Sequence, residues 1–339
     1  MIQSPILSII IVNYNVKEYI LNCIQSIQDK IDAKRCPYEV IVSDNGSVDS
    51  SIEAIHERFP WVKVIENNAN LGFSKANNVA VKQAKGEVLF IFNPDTLVIK
   101  GMEEMVEHIR EHKEIGIMGP VIYDQDNNMD LYTCFLEYSP LHLFLGTFFD
   151  PYYNRRRNHN LMTRMKSFSP VEVDKISGAC MLIRKELFDK VGGFDETFFF
   201  GGEEQDICLT VKENGYAIKL FPLAEIVHFR SKSIPKNPSM ILEKRIHNHT
   251  NEPYFYLYKK HFPSYAIVFL YFLTLIVNVR LIVVSSIKKV YFTYKKDTAA
   301  YSQRDALFRG SRIILKYSLS IKTIKFLFSS INHQNPAQK

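Results

Sequence analysis

Leu89-Phe90-Ile91-Phe92-Asn93-Pro94-Asp95-Thr96 is the stretch whose reading decides the fold. Four apolar residues end abruptly in Asn-Pro-Asp, as a strand buried on both faces of a parallel sheet does where it stops and turns outward. In open α/β sheets ligands bind outside the carboxyl ends of the strands, so this reading delivers Asp95 to the usual place for chemistry. Pro94 fixes its own φ and restricts Asn93, which gives the Asp95 carboxylate a defined direction. An aspartate there can hold a divalent cation and, through it, a phosphate. Taken alone, Asp95 is also explained as the start of a turn or the cap of a helix from Gly101, the commoner role of an isolated Asn-Pro-Asp.

Upstream the same pattern recurs. Ile6–Val12 reads as a buried strand ending at Asn13-Tyr14-Asn15, and Ile20, Leu21, Ile24 and Ile27 then recur at helical spacing. Tyr38–Ser43 is a second strand, ending in Asp44-Asn45-Gly46-Ser47, with Ser47 or Asp49 as the cap of a helix running to Phe59. Val62–Glu66 is a third strand, and Asn67–Phe73 leads into a helix from Ser74 to Ala84 that Gly86 stops. Strand–helix alternation at this spacing predicts a parallel, Rossmann-like α/β sheet flanked by helices. No Gly-x-Gly-x-x-Gly follows the first strand, and Gly-x-x-x-x-Gly-Lys occurs nowhere, which argues against dinucleotide and P-loop enzymes. The strand ends instead present Asn13, Asn15, Asp44 and Asn45, side chains able to hydrogen-bond a nucleobase and ribose, and then Asp95, able to handle phosphates through a metal. Each is an ordinary turn former; the succession carries the inference.

Downstream come a helix from Gly101 to Lys113, a strand over Ile115–Ile122 and a polar turn at Asp124–Asn128. Leu131–Ser169 reads as an irregular insertion or flap, with Phe148, Phe149, Tyr152 and Tyr153 followed by Arg155-Arg156-Arg157. That basic tripeptide is either a solvated face or a contact to a diphosphate. Order returns over Val171–Arg184, including Ser177-Gly178-Ala179-Cys180. Glu203-Glu204-Gln205-Asp206 then opens a helix to Asn214, stopped by Gly215. Acids in a first turn complement the helix dipole, which is reason enough for the cluster. Gly201 and Gly202 just before it would also let a ligand approach the backbone. A short strand, Ala217–Phe221, leads to Ile226-Val227-His228.

At 339 residues the chain exceeds the size at which one core stops growing, so a main domain plus an appendage is expected. Apolar content of 46% with 23% charged residues describes a globular protein. The net charge of +6 is unevenly spread: residues 251–339 carry 14 Lys+Arg against 3 Asp+Glu, and the remainder 28 against 33. The basic surplus therefore belongs to the last quarter of the chain, and no nucleic-acid partner is expected. Five cysteines without a Cys-x-x-Cys pair suit a reducing compartment and small core positions. The opening run lacks the length and cleavage pattern of a signal peptide, so the first domain is expected to be cytosolic.

Taken together these residues resemble the family 2 inverting glycosyltransferases of GT-A fold, in particular the rhamnosyltransferase-like branch. The resemblance rests on Ser8–Asn15, Ser43–Asp49, Asn70–Phe73 with Asn77-Asn78, Asn93–Thr96, Ser177–Ala179, Gly192–Asp195, Glu203–Asp206 and His228. Order and spacing agree over residues 6–233. The resemblance implies a mixed, mostly parallel GT-A sheet and a nucleotide-sugar donor. Asn13, Asn15 and Asp44 would sit at the base and ribose, and Asn70, Gly72 and Asn77 near the donor, with Asn45 among the nucleotide- and donor-binding residues. Asp95 stands where the family has the metal-binding carboxylate of its Asp-x-Asp-type motif, whose first acid is here Asn93. His228 matches a histidine that binds metal or diphosphate, so Mg2+ or Mn2+ is the implied cofactor. The glycine usual after it is missing, which offers Arg230 or Lys232 to phosphate instead. Glu204 falls where the family's base lies in a Glu-Asp pair. Glutamate replaces aspartate there, so Glu203 and Glu204 both remain candidates, with Asp206 beside them.

The chemistry agrees. An acceptor hydroxyl attacks an anomeric carbon while a nucleoside diphosphate leaves; one carboxylate takes the hydroxyl proton, and positive charge meets the diphosphate. A single base without a second nucleophile implies one displacement, hence inversion. The resemblance suggests rhamnose from dTDP-rhamnose first, with a glycan acceptor, lipid-linked in cell-surface polysaccharide synthesis. The rivals are a nucleotidyltransferase, which would want a Gly-rich basic loop after the first strand, and a non-catalytic membrane scaffold that has kept the fold.

Residues 1–250 are thus expected to form the catalytic domain and 251–339 a basic, apolar helical region for membrane attachment or homodimerisation. Ser264–Ile287 is a 24-residue run interrupted by Asn278 and Arg280, and about 20 residues suffice to cross a bilayer. A single span would export Lys288, Lys289, Lys295 and Lys296, against the tendency of basic flanks to stay inside. It would also place Arg280 in hydrocarbon at about 2.5–3.5 kcal/mol. Ile314, Tyr317, Ile321, Ile324 and Phe328 recur at helical spacing with Lys316, Lys322 and Lys325 on other faces. The expectation is peripheral or in-plane attachment to the inner face of a membrane, with a core helix or a dimer contact as the alternative.

Overall fold

The strands expected from the apolar runs are present in a computed structural model that describes residues 4–134, 152–229 and 252–294, with Asp305, Phe308, Arg309 and Arg312. β1 (Leu7–Asn13) lies between β2 (Tyr38–Asp44) and β4 (Val88–Phe92), parallel to both, and β3 (Lys63–Glu66) extends the parallel side beyond β2. On the other side β8 (Cys180–Arg184) runs antiparallel to β4 and to β6 (Ile115–Tyr123). β9 (Ala217–His228) runs parallel to β6, and β5 (Thr96–Lys100) lies antiparallel at the edge. The order is β3-β2-β1-β4-β8-β6-β9-β5, with β7 (Val171–Glu172) paired to β9. Because the chain leaves β1 toward β2 and returns to its opposite side with β4, the carboxyl ends of these strands open onto a switch-point crevice.

Alternate residues of these strands face opposite layers, which is why the runs are apolar throughout. Ile9, Ile11, Val40, Val42, Phe90 and Phe92 pack with α1 (Lys17–Lys30), α2 (Ser51–Arg58) and α4 (Met102–Glu111). Ile10, Ile41, Leu89 and Ile91 join the cluster formed with α3 (Gly72–Val81), α5 (Tyr152–Met165), α6 (Lys185–Lys190) and α7 (Glu203–Glu213). The five cysteines are buried free thiols within these layers. Arg184, at the end of β8, is buried and donates to the carbonyls of Ile109, Lys113 and Ile115 at 3.2, 2.8 and 2.6 Å. It thereby satisfies acceptors that the end of α4 leaves open.

Three expectations change. Asp95 caps no helix: β5 intervenes, and α4 starts only at Met102, behind Gly101 at φ +78° with no side-chain cap. Leu131–Ser169 is not irregular throughout: a 3-10 turn covers Leu131–Cys134, and α5 covers Tyr152–Met165. Leu161 and Met165, four residues apart on α5, are buried in the second layer, a short apolar signal masked by the neighbouring arginines. The expected Ala217–Phe221 strand continues to His228, and its register with β6 slips after Phe221, where Pro222 has no N–H to give. Phe148, Phe149, Arg230, Lys232 and the Ile314–Phe328 pattern lie outside the described residues.

The chain divides into two compact units, one of Met1–Glu137 with Asn154–Ser233, the other of Tyr138–Tyr153 with Ile234–Lys339. In the second, α8 (Glu252–His261) and the 31-residue α9 (Ser264–Tyr294) pack through Tyr258, Phe262, Ala266, Ile267 and Tyr271. By length and composition α9 could cross a membrane. Its exposed apolar residues recur along one face: Tyr265, Phe269, Phe272, Ile276, Val279, Val283, Ile287, Val290 and Tyr294. Lys289 pairs with Asp305, which also binds Arg309 at 2.9 Å.

Candidate active site

Four strand ends and one helix start meet in the first unit. Asn13 and Asp44 are register partners at the ends of β1 and β2. Asn13 Nδ2 donates to Asp44 Oδ1 at 2.7 Å, to Ser51 Oγ at 2.8 Å and to Ser47 Oγ at 3.0 Å. Asp44 Oδ2 accepts from the amides of Gly46 and Ser47, at 3.0 and 2.8 Å. Both residues are buried, so they shape the Asp44–Ser47 loop from beneath. Asn15, exposed and at φ +53°, holds the rim by accepting from Val48 N at 2.8 Å.

Asn45 bridges to the next loop. Its Nδ2 donates to the Gly72 carbonyl at 3.1 Å and approaches Asn70 Oδ1 at 3.3 Å, which also accepts from Gly72 N at 3.0 Å. Gly72 has φ +78°, and a Cβ there would lie 2.4 Å from the Phe199 carbonyl, which accepts from Phe73 N at 2.8 Å. Only glycine admits that contact, and it brings the Asn70–Phe73 loop against the segment leading into α7. On α3, Asn77 is fully buried and its Oδ1 has no hydrogen-bond partner, while Asn78 ties the helix to Phe194 N and O.

Two carboxylates open α7 behind Gly202, at φ +104°. Glu204 is anchored on both oxygens: Oε1 accepts from Lys175 Nζ at 2.6 Å, and Oε2 from Gly178 N at 2.7 Å with Ser177 Oγ at 3.4 Å. Burial alone would raise its pKa, but the Lys175 charge and these hydrogen bonds carry it below the usual glutamate value. Glu203 is 6% exposed and its Oε2 has no partner. Burial first, then the neighbouring Glu204 charge, push its carboxyl up to about 7. Asp206 is buried and closes the first turn through its amide, which donates to Gly202 O at 2.9 Å.

Asp95 and His228 meet across the β5/β9 edge, Nε2 to Oδ1 at 3.2 Å. Their side chains are 11% and 12% exposed, and His228 Nδ1 has no partner. Beside them opens a cleft of about 240 Å3 lined by Tyr19, Asn22, Asp95, Thr96, Leu97, Gln125 and Phe229. One carboxylate and one imidazole at the mouth of a cleft suit a divalent cation that takes its remaining ligands from water and diphosphate. Among the described residues no third His, Cys, Asp or Glu joins them.

The two halves are linked through one turn. Ser177-Gly178-Ala179 binds Glu204 through its Gly178 amide, and the Ala179 carbonyl accepts from Asn93 N at 3.0 Å, two residues before Asp95. Expected site residues thus group as Asn13 with Asp44, Asn45 with Asn70 and Gly72, and Asp95 with His228, while Asn13 and Asp44 spend their polar atoms largely on each other and on the loop. Lys175 escaped the sequence reading; its signal was a charge, next to Asp174, just before a largely buried run, Ile176–Ile183.

The family model described as "Glycosyl transferase family 2" matches residues 8–192, and one described as "N-terminal domain of galactosyltransferase" matches residues 159–232. The N-acetylglucosaminyl-diphospho-decaprenol L-rhamnosyltransferase of Mycobacterium tuberculosis is 26% identical over 279 residues, covering 76% of this chain and 86% of its own. Rhamnosyltransferase WbbL of Escherichia coli K12 is 23% identical over 231 residues, covering 65% of this chain and 82% of its own. The mannosyltransferase PcManGT of Pyrobaculum calidifontis, solved with GDP-Man and Mn2+, superposes with TM-score 0.54 at 15% identity, covering 94% of this chain and 89% of its own. GalNAc-T7, solved with UDP, GalNAc and Mn2+, does so with TM-score 0.52 at 18% identity, over 76% of this chain and 50% of its own. These two likenesses show a shared GT-A fold.

Proposed function

The chain belongs to glycosyltransferase family 2, in its rhamnosyltransferase-like branch, and we propose that it moves one sugar from a nucleotide-sugar to a hydroxyl of a lipid-linked glycan, with inversion. It is a glycosyltransferase of glycan synthesis; L-rhamnose from dTDP-rhamnose is the first donor to try. The observation that carries the reading is the Ser177–Ala179 turn, which ties the Glu204 carboxylate to the Asn93-Pro94-Asp95 strand end.

In this reading Asn15, Asn45, Asn70 and Gly72 line the donor loops, with Asn13, Asp44 and Asn77 holding those loops in shape. Asp95 and His228 hold Mg2+ or Mn2+. Such a cation, when bound, offsets the charge on the leaving diphosphate. Glu204 takes the proton of the acceptor hydroxyl as its oxygen bonds to the anomeric carbon and the sugar–phosphate bond breaks. Glu204 is chosen over Glu203 because its carboxylate is oriented on both oxygens and ionised, whereas Glu203 is sealed in and carries a proton through much of the range below pH 7. Asp206 supports the turn. Catalysis is assigned to residues 1–250. Attachment to the inner face of a membrane, peripheral or in-plane, is assigned to 251–339, where a lipid-linked acceptor is within reach; α9 with its exposed apolar stripe supports this.

The test is a panel of nucleotide sugars offered to the purified full chain, with nucleoside diphosphate release as the readout. Release with one donor, dependent on Glu204, supports the reading. No release with any donor, with or without acceptor, would favour a scaffold.

A further inference from the structure

Lys175 is a cation placed where the core should exclude one. It follows β7 in the loop leading to β8 and is 4% exposed, with Nζ 2.6 Å from Glu204 Oε1. Lysine is almost never buried to this degree without a partner that requires it. The exposure of the pair is asymmetric: 5% for the Lys175 side chain against 23% for that of Glu204. The ammonium is inside and the carboxylate faces outward, the reverse of an ordinary snorkelling surface pair. Asp174, next in the chain, faces Lys212 instead, at 3.7 Å.

We propose that Lys175 is a positioning residue for the transfer reaction, fixing the Glu204 carboxylate toward the acceptor hydroxyl from the core side. The proposal rests on Glu204 being the base. With Oε1 held by Lys175 and Oε2 by Gly178, the carboxylate cannot rotate away, and the remaining lone pairs are left for an incoming hydroxyl. The other groups around Glu204 are the Glu203 carboxyl, which is destabilised by its charge, the buried Cys208 thiol and the Ser177 hydroxyl. Glu203 repels a second negative charge, and the thiol stays neutral because burial raises its pKa. Lys175 therefore, together with the Gly178 and Ser177 hydrogen bonds, lets Glu204 remain ionised beside Glu203.

The test compares pH profiles of kcat for the wild type, Lys175→Met, Lys175→Arg, Glu204→Gln and the Lys175→Met/Glu204→Gln double variant. Lys175→Met should move the acid limb upward by about one pH unit or more and lower the plateau by about tenfold or more, within the range of a general-base contribution. Lys175→Arg should restore the limb. The double variant should be no slower than Glu204→Gln alone, since both act through one carboxylate. An unmoved limb, or losses that multiply in the double variant, would overturn the positioning role. Wild-type turnover in Glu204→Gln would instead remove Glu204 as the base, and this proposal with it. Circular dichroism and donor binding check the fold; should Lys175→Met not fold, Lys175→Gln, which keeps a donor without the charge, carries the same limb comparison.

Discussion

His228 Nε2 lies 3.2 Å from Asp95 Oδ1, a contact between residues 133 apart in the chain. β5 and β9 make it: Thr96 is the register partner of His228, and Phe229 N donates to the Asp95 carbonyl at 2.9 Å. The backbone ladder thus brings the two side chains together. His228 Nδ1 has no hydrogen-bond partner, and Asp95 lines the adjoining cleft.

If that pair serves the leaving diphosphate, Asp95→Asn and His228→Ala should each abolish most transfer while the protein stays folded. Excess chelator should do the same to the wild type, and Mn2+ added back should restore it. Full activity in chelator would exclude the cation.

The two glutamates separate kinetically. Glu204→Gln should lower kcat by about two to four powers of ten, the usual size of a general-base contribution, and leave donor affinity nearly intact. Glu203→Gln should cost far less. The reverse order, measured by single-turnover release of nucleoside diphosphate, would transfer the role to Glu203.

Glu203 should also report on stability. Its folded pKa, about 7, lies above the ordinary 4.5, so the native state holds the proton more tightly than the unfolded chain. Its contribution is therefore most favourable below about pH 4.5 and is lost as pH rises through 7. Glu203→Gln should stabilise the protein little at pH 5 and by up to about 3 kcal/mol at pH 8. Thermal melting at the two pH values measures this; equal shifts at both would mean the carboxyl is not perturbed.

Much of this arrangement was legible in the chain. Apolar runs that stop in Asn or Asp placed β1, β2 and β4, and the same residues named most of the candidate site. Less legible were features that depend on distant partners. β5 is a five-residue strand whose partner strand β9 lies more than a hundred residues on, so Thr96–Lys100 carries no local signature beyond its alternation. α5 hides Leu161 and Met165 among arginines. Lys175 pairs with Glu204, on another element, and pairings of that kind are invisible to periodicity.

The last prediction concerns α9. At 1.5 Å per residue its 31 residues run about 46 Å, more than the roughly 30 Å of a hydrocarbon core. Its exposed apolar residues fall on one stripe from Tyr265 to Tyr294, whereas a helix surrounded by lipid has no reason to bury Asn278 and Ser285 on one side and Tyr258 contacts on the same flank. Beyond its end, Asp305 pairs with Lys289 and with Arg309. A packed face opposite an apolar one supports the proposed in-plane attachment. Truncation after Pro263 should release the protein to the soluble fraction and weaken transfer to lipid-linked acceptors more than to soluble ones. Ile276→Asp with Val283→Asp should do the same in the full chain, read as loss of co-sedimentation with anionic vesicles. A tag at Lys339 that proves accessible from outside intact cells would overturn the in-plane topology and establish a span.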